Sequence, residues 1–521
     1  MARKLTVQRL ATAAGTMVPK GACTRRVVRR TAATGGALAL FAALAVPVPG
    51  AWASSSFVNW PSYLGGASHH SYAAQATAIT PSNSTSLTKA WHFMPGAPPV
   101  KALGHALNAS PTVYDGVVYI GGNNGTFYAL NESTGAVMWQ RAIGYVKDSC
   151  GDRGITSTAT VALDPVTKTP TVYVSSGNGY LYAMNAATGA VTWKSLIHRE
   201  VGQNPNYFDW SSPTVANHKV YIGFAGSCVS HVRGALDAFS QATGKKLATY
   251  YTVPRGQVGG SIWSTAAVAS DGHVFVGTGN VIPPTPPNEG TSESIVELSG
   301  TKLSQLGVWQ LPLADQPSND DDFGASVSLF STVLPGTSKR TAMVGDCNKN
   351  GVYYALERDD LAAGPVWQTR IANVNTGDNG TSPACLSSTV VKGNHLYVAG
   401  STTTIGGMSF PGSIEELNAA TGAIVWATGL PSQVYGTPSL DGAGLLAVGT
   451  HGAGSEPQAD YLLNPSTGAI LATVSNGDSP QFAQPVFADQ YLFIATGTAG
   501  LYAYKPSGSG ARGGHPRRVS H

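Results

Sequence analysis

Ser110 to Trp139 read SPTVYDGVVYIGGNNGTFYALNESTGAVMW. Apolar residues alternate with small or polar ones through TVY, VVYIG and TFYAL, and Gly, Asn and Asp stand between the runs, the pattern of short antiparallel strands. A fourth run, AVMW, follows Asn131-Glu-Ser-Thr-Gly, where Gly135 supplies the positive φ that a tight turn between third and fourth strands requires. The Trp closing that strand has a large ring to bury, and a neighbouring unit of the same kind would cover it.

The same order of elements recurs along the chain. Thr156 to Trp193 read TSTATVALDPVTKTPTVYVSSGNGYLYAMNAATGAVTW, and further copies run ALDAFSQATGKKL from Ala235, SIVELSGTKLSQLGVW from Ser294, VYYALERDDLAAGPVW from Val352, IEELNAATGAIVW from Ile414 and YLLNPSTGAILA from Tyr461. An eighth copy, LFIATGTAGLYAYKP from Leu492, lacks its last strand. Copies of about four strands, with Trp139, Trp193, Trp309, Trp367 and Trp426 at blade spacing, predict an all-β fold: an eight-bladed β-propeller of four-stranded blades. Gly, at 62 of 521 residues, agrees with many tight turns rather than helices. TKAWHF, Thr88 to Phe93, ends in the same apolar-Trp pattern and is expected to complete blade eight, closing the ring and removing exposed sheet edges. Asn131, Asn185 and Asn418 belong to the turns of this repeat and are expected to do no chemistry.

The first segment stands outside the fold. Arg25, Arg26, Arg29 and Arg30 precede the apolar GGALALFAALAVPVPG and then AWA-S, which reads as a signal peptide cut near Ala53, with a faint twin-arginine character in Thr24 to Val28. The apolar run is too short and too broken by Pro47 and Pro49 for a membrane span. The expected division is a signal peptide over 1–53, an N-terminal extension over 54–87, the propeller over 88–506 and a disordered basic tail over 507–521. The exported protein would be secreted or held in the cell envelope. Residues 1–53 carry eight Lys or Arg and no acid, so removing them turns the formal +4 into −4. What remains has no basic stripe for nucleic acid.

Cys150, Cys228, Cys347 and Cys385 remain after cleavage, an even number that favours disulfides in an exported protein and allows three pairings. Cys150 and Cys385 precede innermost strands, while Cys228 and Cys347 follow second strands, so all four fall in loops of one face. Placement in adjacent blades favours Cys347 with Cys385, and then Cys150 with Cys228.

Function in a propeller belongs where the loops depart from the repeat. One departure is SNDDDFGAS, Ser318 to Ser326, three consecutive carboxylates in front of the strand SVSLF in a chain that is 12% charged. The preceding blade offers Ile262-Trp263-Ser264 before its first strand and Val276-Gly-Thr-Gly-Asn280 after its second. Taken in order, I-W-S, V-G-T-G-N and D-F-G-A-S resemble the pyrroloquinoline quinone-dependent alcohol dehydrogenases, including their polyvinyl-alcohol dehydrogenase branch, which are eight-bladed propellers. The repeat resemblance covers nearly the whole mature chain, and these three motifs are its more specific part.

The resemblance implies a role for each position. Trp263 would be the ring on which the flat quinone stacks, Asn280 a side-chain ligand to calcium, and Asp322 the general base. Arg153, in DSCGDRG, and Lys349, in DCNKNG, would contact cofactor. The chemistry suits these types: oxidising an alcohol removes a hydroxyl proton and a hydride, so a carboxylate must reach the hydroxyl beside an electrophile, which a hard cation strengthens. The partners implied are a small or polymeric alcohol and an external electron acceptor. Two departures stand against this. GFAGSCVSHVRG holds no acid where the family places its calcium-binding glutamate, Ser227, Cys228, Val229 and Ser230 filling those positions, and Cys150 is followed by Gly151 rather than a second cysteine. Calcium would then need Asp320 or Asp321 instead. Each singled-out residue also has a purely structural use, as strand cap, packing ring, turn residue or loop anchor, and a propeller that lost its cofactor would serve as a binding or assembly scaffold. A hydrolase is disfavoured, since there is neither a nucleophile elbow nor a His cluster at metal-ligand spacing.

Overall fold

The computed structural model describes residues 57–96, 106–146, 153–197, 207–208, 210–226, 232–282, 289–318, 320–374, 384–452 and 456–508. Their strands form eight antiparallel blades. Blade one is Thr112–Tyr114, Val117–Gly121, Thr126–Asn131 and Val137–Ala142, innermost strand first. Blades two to seven repeat this order, their innermost strands being Thr160–Leu163, Thr214–Ala216, Ala267–Val268, Ser328–Val333, Val390–Lys392 and Ser439–Asp441. In blade eight Val486–Ala488, Tyr491–Thr496 and Gly500–Pro506 are joined by Leu87–Phe93, which runs antiparallel to Gly500–Pro506 with Leu87 opposite Pro506 and Phe93 opposite Leu501. The N-terminal strand thus closes the ring as expected, one residue longer than the sequence pattern implied. Among the described residues no helix is long and apolar enough to cross a membrane.

The Thr-Gly-Trp repeat earns its place at the outer rim. Indole N–H groups of Trp139, Trp193, Trp367 and Trp426 donate to the carbonyls of Ala186, Gln241, Ala419 and Pro465 on the following blade, at 3.0 to 3.2 Å. Trp91, on the closing strand, does the same to Glu132 of blade one at 2.8 Å. Each ring lies against the turn glycine of that next blade, so a methyl group on Gly422 would stand 2.3 Å from Trp367. Two constraints, positive φ and a close ring, therefore fall on one residue.

A second set of contacts rings the central channel. The hydroxyl oxygen heading each innermost strand accepts the N–H of its counterpart one blade earlier: Ser110 to Thr158 at 2.9 Å, Thr158 to Ser212 at 3.0 Å, Ser212 to Thr265 at 3.0 Å, Thr265 to Ser326 at 2.8 Å, Ser326 to Ser388 at 2.8 Å and Ser388 to Thr437 at 3.1 Å. Gln484 of blade eight closes the belt onto Ser110 at 2.9 Å. Hydroxyls two residues further on donate to the next blade's carbonyls, as Thr112 does to Ala159 and Thr160 to Pro213, both at 2.6 Å. This is why the copies open on Ser or Thr: buried amides at the axis need an acceptor that water cannot supply there.

Beyond the belt the innermost strands expose unpaired N–H groups to the channel, and the segment around residues 60–71 satisfies them. Carbonyls of Trp60, Pro61, Ala67, Ser68, His70 and Ser71 accept from Val113, Val161, Val268, Leu329, Val391 and Leu440, at 2.7 to 3.1 Å. Tyr63 reaches the belt itself, its hydroxyl 3.2 Å from that of Thr437. The disulfide joins Cys347 of blade five to Cys385 before blade six, with Cα atoms 5.8 Å apart, the pairing favoured from blade placement. Cys150 and Cys228 lie outside the described residues, as do 1–56 and the tail beyond 508.

Blade seven departs from the repeat inside its core. Asp460 pairs with Gly449 at the register where other blades carry Phe127, Leu181, Leu236, Ile295 or Ile414. Its carboxyl is fully buried, accepts from Gln481 Nε2 at 3.2 Å, and is pushed up to about 7 by that burial. The folded state therefore holds a proton that the unfolded chain releases near pH 4, so Asp460 favours folding below that pH and its contribution is lost as pH rises toward 7.

Two outcomes follow for thermal unfolding. Gly422→Ala should lower the Tm at least twice as far as Gly393→Ala: both sit at positive φ, 70° and 63°, but only the first meets a ring. Backbone strain costs roughly 1–2 kcal/mol, and overpacking against Trp367 adds about 1–3 kcal/mol. Equal losses would remove the indole from the account. Asp460→Asn keeps an acceptor for Gln481 without an ionisable group, so its Tm should fall less than the parent's between pH 5 and pH 8, and an unchanged slope would contradict the assignment.

Candidate functional site

Four of the residues singled out from the sequence meet at one point where blades four and five adjoin. Asp322 accepts from Trp263 Nε1 at 3.1 Å and from Lys349 Nζ at 2.8 Å through Oδ2, and from the backbone N–H of Asn280 at 2.6 Å through Oδ1. Lys349 Nζ also lies 2.6 Å from Asp320 Oδ1 and 5.2 Å from the centre of the Trp263 ring.

Local chain geometry brings them there. Trp263 stands two residues ahead of the belt residue Thr265, which fixes its loop at the channel. Asn280 follows Val274–Gly277, and its carbonyl accepts from Gly260 at 2.7 Å beside the small ribbon of Val258–Gly259 and Val281–Ile282. In Asp322-Phe323-Gly324 each residue has a separate task. Phe323 is buried among Trp309 and Tyr354, with ring centres 6.1 and 6.0 Å away, and anchors the loop. Gly324 leaves room for Trp263, since a methyl group there would stand 2.3 Å from the indole. Asp322 is left facing the ring. Lys349 is held by its own backbone, N–H to Asp322 O at 3.0 Å and carbonyl from Ala384 at 3.1 Å.

The three aspartates divide accordingly. Asp320 is the rim group, its side chain 47% exposed, while Asp322 shows only 8% and Lys349 13%. Asp321 is buried and turned to structure, accepting from the Ser318 N–H at 2.8 Å while its carbonyl accepts from Asn348 Nδ2 at 2.7 Å. Burial works to lower the Lys349 ammonium, but the pull of Asp322 and Asp320 outweighs it and holds it above the ordinary lysine range. Glu293, buried nearby, is pushed up to about 8 by burial and then by Asp322, Asp321, Glu289 and Asp320. The site is thus a pocket of negative charge organised around one ammonium.

The remaining expectations fare differently. Arg153 has its guanidinium 5.4 Å from the ring of Trp210. Asn280, expected as a metal ligand through its side chain, meets Asp322 through its backbone. Ser227 to Ser230 lie outside the described residues. Sequence reading passed over three aromatic residues: Trp210, Tyr435 and Phe482 occupy the slot Trp263 holds, two residues ahead of the belt. Phe482 lies 6.2 Å from Trp210, 5.8 Å from Tyr435 and 4.3 Å from His451. Aligning the copies on the belt hydroxyl would have found them.

Chemically, the indole face suits a flat conjugated ring, the ammonium suits that ring's carboxylates or carbonyl edge, and Asp322 is a carboxylate at the same spot. These residues fit pyrroloquinoline quinone. Among the described residues no three of His, Cys, Asp or Glu are disposed to hold a metal ion.

Lys349→Met should remove the one cation between Asp320 and Asp322 and cost about 3–5 kcal/mol. The loss of Tm should be larger at pH 8 than in acid, where protonation relieves Asp320, whose carboxyl is pushed up by burial and then by Asp322. A pH-independent loss would mean that Lys349 acts by packing alone.

Residues 60–379 match the family described as the PQQ glucose/ethanol/alcohol dehydrogenase β-propeller domain. The chain is 28% identical over 339 residues to lupanine 17-hydroxylase [cytochrome c] of a Pseudomonas species, covering 57% of this chain and 46% of that protein. It is 24% identical over 290 residues to quinohemoprotein alcohol dehydrogenase ADH-IIG of Pseudomonas putida, covering 49% and 39%. The match thus spans less than half the length of these relatives. In fold it resembles the quinohemoprotein alcohol dehydrogenase of Comamonas testosteroni, with a TM-score of 0.68 at 18% identity over 89% of this chain and 83% of that one. The chain belongs to the pyrroloquinoline quinone-dependent alcohol dehydrogenase β-propeller family.

Proposed function

We propose that this protein is an exported quinone-dependent oxidoreductase that oxidises the hydroxyl of an alcohol or sugar and passes the electrons to an external acceptor. The observation that carries the reading is the meeting of Trp263, Lys349 and Asp322 within hydrogen-bond or ring-contact distance, from three separate loops. Pyrroloquinoline quinone, when bound, supplies the two-electron oxidant.

The chain's own residues account for the rest. Trp263 offers the stacking face, and Gly324 keeps that ring in one position. Lys349 sets the positive charge at the edge of the ring. Asp322 takes the hydroxyl proton. Oδ1 is the oxygen with capacity for it, since one donor, the Asn280 N–H, engages it while Lys349 and Trp263 share Oδ2. The buried Phe323 beneath the loop excludes water from its inner side and holds the base in place.

A scaffold without cofactor is the second reading, and the absence of an acid from GFAGSCVSHVRG favours it. Titration of the mature protein with pyrroloquinoline quinone separates the two. Saturable quenching of Trp fluorescence that disappears in Trp263→Ala is expected from the enzyme. Asp322→Asn should then bind quinone with an affinity close to the parent's while losing at least about 100-fold in turnover of alcohols with an artificial acceptor. No quenching at saturating quinone, from a well-folded sample, would favour the scaffold.

A further inference from the structure

We infer that the cation of this site is the Lys349 ammonium, and that the protein holds its quinone without a divalent metal ion. The inference rests on the quinone reading above and concerns how that same site is charged.

Position is the first argument. The ammonium lies 2.6 Å from Asp320 Oδ1, 2.8 Å from Asp322 Oδ2 and 5.2 Å from the Trp263 ring centre. That is the space between the carboxylates and the stacking face. A divalent ion entering there would meet the ammonium's repulsion, or would have to displace it and leave a largely buried lysine without its partners.

The donor set is the second. A calcium ion takes six to eight oxygens, several of them charged. Asp322 already accepts from Lys349 and Trp263 through Oδ2 and from the Asn280 N–H through Oδ1, at 2.8, 3.1 and 2.6 Å. Asp321 is occupied by Ser318. The chain segment from Gly226 to Arg233 carries no acid to replace them. A site that keeps its ammonium among the aspartates and lacks that acid offers a calcium ion fewer charged oxygens than it takes.

The test uses the full mature chain stripped with EDTA. Quinone affinity is read by Trp quenching in EDTA, and again with millimolar calcium. Terbium luminescence sensitised by Trp263 is read on the protein alone, with Trp263→Phe as the blank. Expected are dissociation constants within twofold of each other and terbium emission no greater than the blank. Lys349→Arg, which keeps the charge, should bind quinone equally with and without calcium, whereas Lys349→Met should weaken binding at least tenfold, with melting curves confirming that both variants are folded. Calcium tightening quinone binding tenfold or more, or Trp263-dependent terbium emission, overturns this inference alone. Absence of quinone binding under every condition overturns the quinone reading and this inference with it.

Discussion

Everything in this molecule hangs on the hydrogen bond between a hydroxyl heading one innermost strand and the amide heading the strand before it. An innermost strand is a sheet edge, and eight such edges facing one channel would leave a ring of buried amides without acceptors. The belt supplies acceptors to seven of them, from Ser110 round to Ser388 and again at Gln484, and fixes the spacing of the blades at the same time. Trp139 and its counterparts do the equivalent work at the rim, where a ring and a carbonyl tie each blade to the next. With both ends of every blade pinned, the loops ahead of the belt can carry side chains in defined positions.

The site is a direct consequence. Trp263 sits two residues from the belt, and Asp322 four residues before Ser326, so each is anchored by a bond to a neighbouring blade. Lys349 reaches across from blade five, and Asp322 gathers three donors from three loops. An acid held by that many partners has one geometry available to it, which is what a base acting on a positioned hydroxyl needs. The charge balance is equally specific: one ammonium pairs with Asp320 and Asp322, while burial and then the neighbouring acids hold the Glu293 carboxyl up near 8.

How much of this could be read from the chain depends on whether side-chain pattern or backbone did the work. Blade count, ring closure by Leu87–Phe93 and the Cys347–Cys385 bond were legible because each follows from a repeated side-chain spacing. The channel lining by residues 60–71 was not, since GGASHHS has no periodicity and acts through its carbonyls. The meeting of Trp263, Asn280 and Asp322 was legible from three short motifs, whereas Lys349 entered only through the family resemblance. The contact of Arg153 with Trp210 was not legible, because a loop position does not determine where a long side chain turns. That Asn280 meets Asp322 through its backbone N–H was not legible either, since a side-chain motif says nothing of where an amide points.

A crystal structure of the mature chain grown with pyrroloquinoline quinone bears on the central claim most directly. The account predicts planar density stacked on the Trp263 indole, its edge within hydrogen-bond distance of Lys349 Nζ and its reactive carbonyl beside Asp322 Oδ1. Quinone density elsewhere on the propeller, or a bare Trp263 face at saturating quinone, would contradict it.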